Sequence, residues 1–246
     1  MTLTYNDGKI PLRYYANPET GEALPCYSLC LDDLQRFWKR LRKSFPDVKI
    51  RYFACGEYGS DTFRPHYHAI VYGFRPTDLR LVEAREQGNY YTSDKIYNIW
   101  AHGNIIVADV TFNTCAYVAR YTAKKYLTLE DKFFESHNME KPFLVMSRRP
   151  GIGWSYMESH RQYFELDRVY VAGDDPVDSQ LPRGFLRKLE QVDPEIFAQV
   201  KERRKKYGDV YERSVAMARK VPYAKMLEDA EANLMAQAKK IQRKKI

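Results

Sequence analysis

"KIRYFACGEYGSDTFRPHYHAIVYGF", residues 49–74, decides the fold. Two runs rich in aromatic and β-branched residues, 49–58 and 65–74, flank the turn-forming "GSDTFR", the pattern of a β-hairpin with a medium-length loop. A hairpin forces antiparallel pairing. Residues two apart on a strand share a face, so His66 and His68 project side by side, together with Ile70 and Tyr72. Two imidazoles so placed can occupy adjacent positions around one divalent ion. The same pair is equally the mark of hydrogen-bonded histidines on a sheet surface. Glu57, close to the loop on the preceding strand, brings a carboxylate to the same end of the sheet. Three protein ligands with open positions can polarise a phosphate oxygen. Two histidines and a carboxylate also suit non-haem iron or catalytic zinc, so ligand type alone leaves the metal open. A nucleotide hydrolase of the HxHxH kind would need a third histidine where Ile70 stands, which removes that class.

Outward from the hairpin, "TLTY" alternates as a strand should, and "NDGK" supplies a turn. "LDDLQRFWKRLRKSF" carries Leu34, Phe37, Trp38, Leu41 and Phe45 at the spacing of one helical stripe, with Asp32 or Asp33 suited to its N-terminal end. "SDKIYNIWAHG" predicts a short helix opened by Ser93 and stopped by Gly103, and "NIIVADV" the next strand. "NTCAYVARYTAKKYL" predicts a helix of about four turns beginning at Asn113. Helices interleaved with antiparallel strands make the class α+β. Residues 1–172 are expected to form one domain, 173–184 a connector and 185–246 a basic, mostly helical tail.

The net charge of +8 is unevenly spread. Residues 1–182 hold 23 Lys/Arg against 23 Asp/Glu, whereas residues 183–246 hold 17 against 9, so all the excess lies in the last quarter. Such a tail favours a polyanion, nucleic acid or an acidic membrane surface, and is otherwise a solvated helix face. Cys26, Cys30, Cys55 and Cys115 form no CxxC pair and fit free thiols in a reducing cytosol. No stretch approaches the ~20 apolar residues that cross a bilayer, which excludes a helical membrane protein.

The second cluster is "AYVARYTAKKY", residues 116–126. At 100° per residue, Tyr117, Tyr121, Lys124 and Lys125 share one face, with Arg120 on its flank. Cys115, Val118, Ala119, Thr122 and Tyr126 form an opposite face suited to packing on a sheet. Exposed aromatics on an amphipathic helix are the plain reading. Two phenols one turn apart beside three cations have a chemical use, however, because adjacent cations help a phenol ionise and can hold a phosphodiester.

Taken together, Glu57, "PHYH" and "YVARYTAKK" resemble the HUH superfamily of rolling-circle replication initiators, most closely the replication proteins of gokushovirus-like microviruses. "TLTYND", "RYFACGEYGSDTFRPHYHAIVYG", "TFNTCAYVARYTAKK" and "MSRRPGIG" look like that family's blocks in the family's order, over residues 1 to about 155. The resemblance implies a central five-stranded antiparallel sheet of the RRM/ferredoxin-like kind with flanking helices, the metal on the sheet and the tyrosines on a neighbouring helix. It implies Mg²⁺ or Mn²⁺ bound by Glu57, His66 and His68, Tyr117 and Tyr121 as paired nucleophiles, and Lys124 as the lysine that follows them. Arg64, Arg120, Lys125, Arg148 and Arg149 are expected to contact nucleic acid, with Phe63 or Tyr67 stacking on unpaired bases. Single-stranded origin DNA, a host helicase and a host polymerase are the implied partners, without a membrane, in the cytoplasm of an infected bacterium. Family members usually carry a cysteine-bearing segment before the "TLTY" strand, and a truncated form or a late start codon would account for the difference. The competing expectations are a single-tyrosine transposase or relaxase, and a non-catalytic sheet-based nucleic-acid-binding module.

Overall fold

The computed structural model describes residues 1–85, 88–111, 114–115, 118–119, 131–171, 177–219 and 221–243. They divide into two compact units, Met1–Arg148 and Arg149–Ile246.

The first unit is α+β. Strands β1 (Thr2–Thr4), β4 (Arg51–Tyr58), β5 (Pro65–Tyr72), β6 (Leu79–Arg85), β7 (Gly88–Ser93), β8 (Ile105–Ala108) and β9 (Phe143–Met146) form one sheet in the order β6-β7-β8-β1-β5-β4-β9. Every adjacent pair is antiparallel. The sheet has seven strands, not the five expected. The hairpin β6–β7 accounts for the difference: it extends the edge at β8, and β6 is solvent-exposed along almost its whole length, so it shows no buried alternation. Strands β2 (Leu12–Ala16) and β3 (Ala23–Tyr27) make a separate two-stranded ribbon.

One face of the sheet is the core. Helix α1 (Leu31–Ser44) buries Leu34, Phe37, Trp38 and Leu41, the stripe its spacing predicts, and Asp32 and Asp33 lie in its first turn. Trp38 stacks flat on Tyr52, ring centroids 4.0 Å apart. Helix α2 (Asp94–Trp100) is capped by the Ser93 hydroxyl, which accepts from the Ile96 N–H at 3.1 Å, and contributes Ile96 and Trp100. These side chains close on Leu3, Ala54, Tyr67 and Ala69 of the three central strands. Arg40 of α1 donates to the carbonyls of Ile99 and Trp100 at 2.7 and 3.0 Å, which supplies acceptors at the end of α2 with a cation.

The opposite face carries a smaller cluster. Cys55 and Ile70 are buried against Val118, with Cys115 and Leu144 alongside. Thr114, Cys115, Val118 and Ala119 are helical. The N–H of Thr114 bonds the Thr111 hydroxyl at 3.2 Å while the N–H of Thr111 bonds the Thr114 hydroxyl at 2.8 Å, a reciprocal cap. The expected opening residue, Asn113, lies outside the described residues. Cys115 and Val118 face the sheet as their spacing predicts, whereas Ala119 is exposed.

In the second unit, Trp154, Met157, Phe164, Leu181, Leu189 and Val200 form a core. Residues Arg183–Val192, Pro194–Arg219 and Tyr223–Arg243 are helical. Arg204 grips Asp167 with two bonds of 2.6 Å and donates to the Leu181 carbonyl at 3.0 Å.

Between α2 and β8, the Asn6 N–H bonds the His102 carbonyl at 2.9 Å, so the chain at Gly103 runs against β1. A Cβ at Gly103 would overlap the Thr4 carbonyl oxygen and lie 2.5 Å from the Asn6 nitrogen. Gly103→Ala is expected to cost roughly 1–3 kcal/mol, read as a lower urea midpoint. Gly8→Ala, where a Cβ meets nothing within 4 Å, is the control that leaves the midpoint in place.

Candidate metal centre

The pairing of β4 with β5 sets Glu57 opposite His66 and Cys55 opposite His68. Directly opposed residues of an antiparallel pair lie on one face, so the carboxylate and both imidazoles rise from the face that carries Cys55 and Ile70. On the other side of β5, Thr4 pairs with His66 and Thr2 with His68.

A single oxygen organises the cluster. Glu57 Oε1 lies 2.7 Å from His66 Nε2 and 3.0 Å from His68 Nε2. The two rings stand nearly perpendicular, 89° apart. His66 Nδ1 donates to the Arg64 carbonyl at 3.1 Å; a carbonyl only accepts, so the proton of a neutral His66 ring sits on Nδ1 and Nε2 turns its lone pair toward Glu57. Two acceptors come to 2.7 Å only with a proton or a cation between them. At a metal–ligand length of ~2.1 Å, adjacent octahedral ligands lie about 3 Å apart. The observed spacings match, and the ligand atoms of all three residues fall within 4.8 Å of one another. The donor set of this chain thus fits a divalent ion.

The electrostatics agree with that reading. The three side chains are between 11% and 20% exposed. Burial pushes the Glu57 carboxyl up, but hydrogen bonds to His66 and His68 outweigh it and bring the group to about 2. Burial holds His68 below the usual imidazole value, partly opposed by Glu57. An ionised carboxylate beside a neutral imidazole is what a divalent ion requires. Thr2, which sequence reasoning places on a strand but not at the site, lies with its hydroxyl 3.0 Å from His68 Nδ1 and orients that ring. Its only sequence signal is the Thr2/Thr4 alternation, which acquires meaning once β1 is known to pair with β5.

The other expected residues are dispersed. The Arg64 guanidinium pairs with Asp7 at 2.6 Å and donates to the Tyr5 carbonyl at 2.9 Å, joining the start of β5 to the end of β1. Arg148 is exposed beyond β9, level with the Arg51 end of β4, about 20 Å along the strand from Glu57. Arg149 is exposed in the second unit. Phe63 is 45% exposed in the loop between β4 and β5. Tyr67 is fully buried, its hydroxyl bonded to Tyr5 and to the backbone of Cys30, so it is core and stacks on no base. Tyr117, Tyr121, Lys124, Arg120 and Lys125 lie outside the described residues.

Comparison with known proteins bears on what this centre serves. The family model of the ORF2-type replication-associated proteins matches residues 1–126, which include both ligand strands and the segment after them. The chain belongs to this family of replication-associated proteins. Similar members include the replication-associated protein VP4 of Bdellovibrio phage phiMH2K, 34% identical over 204 residues, which covers 79% of this chain and 58% of VP4. The replication-associated protein ORF2 of Spiroplasma virus 4 is 28% identical over 99% of this chain and 74% of its own length. The replication-associated protein ORF4 of Chlamydia phage 1 is 28% identical over 78% of this chain and 49% of its own length. The chain thus spans between about half and three-quarters of these relatives. No solved structure matches it.

For this member of the replication-associated family, calorimetric titration with Mn²⁺ is expected to show one site. Thr2→Val should weaken it about tenfold, as losing an outer-shell partner does, and His66→Ala more. Proton and metal compete for the imidazoles, so affinity should fall as pH drops, by up to about tenfold per unit for each ring that charges, with His68, held low by burial, charging only below the usual imidazole value.

Proposed function

We propose that this chain is a rolling-circle replication initiator, a metal-dependent endonuclease that nicks single-stranded DNA at a phage origin and rejoins it through a 5′-phosphotyrosine. The observation that carries the reading is the Glu57–His66–His68 cluster on the face against which Cys115 and Val118 pack. Cys55, the cross-strand neighbour of His68, touches that helical segment, and Tyr117 is adjacent to Val118 in sequence. Membership of a family whose relatives are named replication-associated proteins of phages supports it further.

Glu57, His66 and His68 would hold Mg²⁺ or Mn²⁺, which supplies charge to polarise an oxygen of the scissile phosphate. Tyr117 or Tyr121 attacks the phosphorus through its phenol oxygen, after losing its proton to solvent. A P–O bond forms to the tyrosine, the bond to the 3′ oxygen breaks, and that oxygen takes up a proton to become a free 3′-OH. Lys124 assists by favouring the phenolate and countering charge on the phosphate. The 3′-OH can prime a host polymerase. The second tyrosine then cuts the regenerated origin, and the released 3′-OH attacks the first phosphotyrosine to close the circle. Host helicase and polymerase are the partners this cycle needs, in the cytoplasm of the infected cell. Among the described residues no helix is long and apolar enough to cross a membrane.

Incubation with internally labelled circular single-stranded phage DNA and Mn²⁺ should yield a protein-linked 5′ end. Tyr117→Phe and Tyr121→Phe should each retain partial nicking, and the double variant none. Undiminished nicking by the double variant would exclude these nucleophiles, and complete loss in one single variant would identify a one-tyrosine enzyme.

A further inference from the structure

An open cavity of about 590 Å³ lies in the first unit between the β2–β3 ribbon, the 59–64 loop and helix α3 (Asp131–Ser136). We infer that it seats an unpaired nucleobase of single-stranded DNA close to the metal centre. The inference deepens the function proposed above and rests on it.

The walls are built of rings. Tyr15 lies 4.4 Å from His137, His137 4.2 Å from Phe133 and Phe133 5.8 Å from Phe63, centroid to centroid, so four rings follow one another along the cavity. Tyr27 lines it as well. Phe63 and Tyr27 keep 45% and 38% of their surface in solvent. Exposed aromatic faces beside an open, nucleotide-sized space are the platform on which single-stranded nucleic acid stacks. Asp7 and His137 add polar edges, and a heteroaromatic ring is the ligand that has both apolar faces and a polar rim. An alkyl chain would use the first and waste the second. Arg64, joined to Asp7 at 2.6 Å, sets a guanidinium at the same rim, where a phosphate beside the seated base would meet it.

Position selects DNA over other ring-bearing ligands. The loop that carries Phe63 follows Tyr58 at the end of β4, one residue after Glu57, and enters β5 just before His66. Phe63 is three residues from His66 in sequence, at most about 10 Å along the chain. Phe63 packs on Tyr58, 6.2 Å between ring centroids, and Tyr58 lies on the face of β4 opposite Glu57, so a strand whose phosphate reaches Glu57, His66 and His68 would round the β4–β5 loop to seat a base in the cavity.

The test is fluorescence anisotropy with the full chain in EDTA, so that binding is read without cleavage. The probe is a labelled thymidine oligonucleotide of about 20 residues, longer than the ~4–16 nucleotides that one single-strand-binding fold covers. Phe63→Leu and Tyr27→Leu keep apolar bulk but remove the ring, and each is expected to weaken binding about tenfold, while Phe63→Tyr stays within about twofold of the parent. On an oligonucleotide of abasic residues all four proteins should bind alike. Leucine variants that bind the thymidine probe as the parent does, or that lose as much on the abasic probe, would overturn the inference. If tyrosine-dependent nicking persists in that case, the function stands and this seat alone falls. A parent that binds no single-stranded DNA would remove both. Unchanged melting curves for the variants exclude misfolding as the cause of any loss.

Discussion

Everything in the first unit turns on one carboxylate oxygen held within hydrogen-bonding distance of two imidazole nitrogens on a neighbouring strand. Glu57 Oε1 reaches His66 and His68 together only because β4 and β5 pair in a register that opposes Glu57 to His66. A slip of one residue would turn the histidines to the core face and bring Tyr67 to the surface. The register is fixed from the far side of the sheet. Tyr67 is clamped by Tyr5 and Cys30, Trp38 stacks on Tyr52, and Leu3 is wholly buried in the same core as α2. Hydrophobic packing on one face thus positions the polar cluster on the other.

The two faces divide the labour. One gathers the largest aromatic and aliphatic side chains under α1 and α2, which stabilises the unit. The other is small and mixed, with Cys55, Ile70 and Val118 clustered on the face that carries three ionisable groups. Burying a carboxylate there is costly unless it is compensated. Two imidazoles compensate it, strongly enough to hold the Glu57 carboxyl at about 2 despite burial. That arrangement keeps a negative charge in a largely buried position, ready for a cation.

What is legible in the sequence is local and periodic. The stripe of α1 and the hairpin that carries Glu57, His66 and His68 follow from spacings of three, four and two. Tyr67 belongs to the core rather than to a base-stacking surface, because the same parity that pairs the histidines sends the residue between them to the opposite face. The ribbon β2–β3 and the hairpin β6–β7 escape a reading by pattern because they lack a well-buried face to produce alternation; β6 is almost entirely exposed. The reciprocal bonds between Thr111 and Thr114 could not be read from the sequence, because they depend on a turn geometry that no periodicity encodes. The role of Thr2 is hidden, since its contact with His68 spans 66 residues and depends on a strand pairing that no local pattern encodes.

The most direct test of the central claim is anomalous diffraction from a crystal of the chain soaked in Mn²⁺. The account predicts one strong peak about 2.1–2.2 Å from Glu57 Oε1, His66 Nε2 and His68 Nε2, with the Arg64 carbonyl still on His66 Nδ1. A peak elsewhere, or none at this cluster while Mn²⁺ occupies other sites, would contradict it.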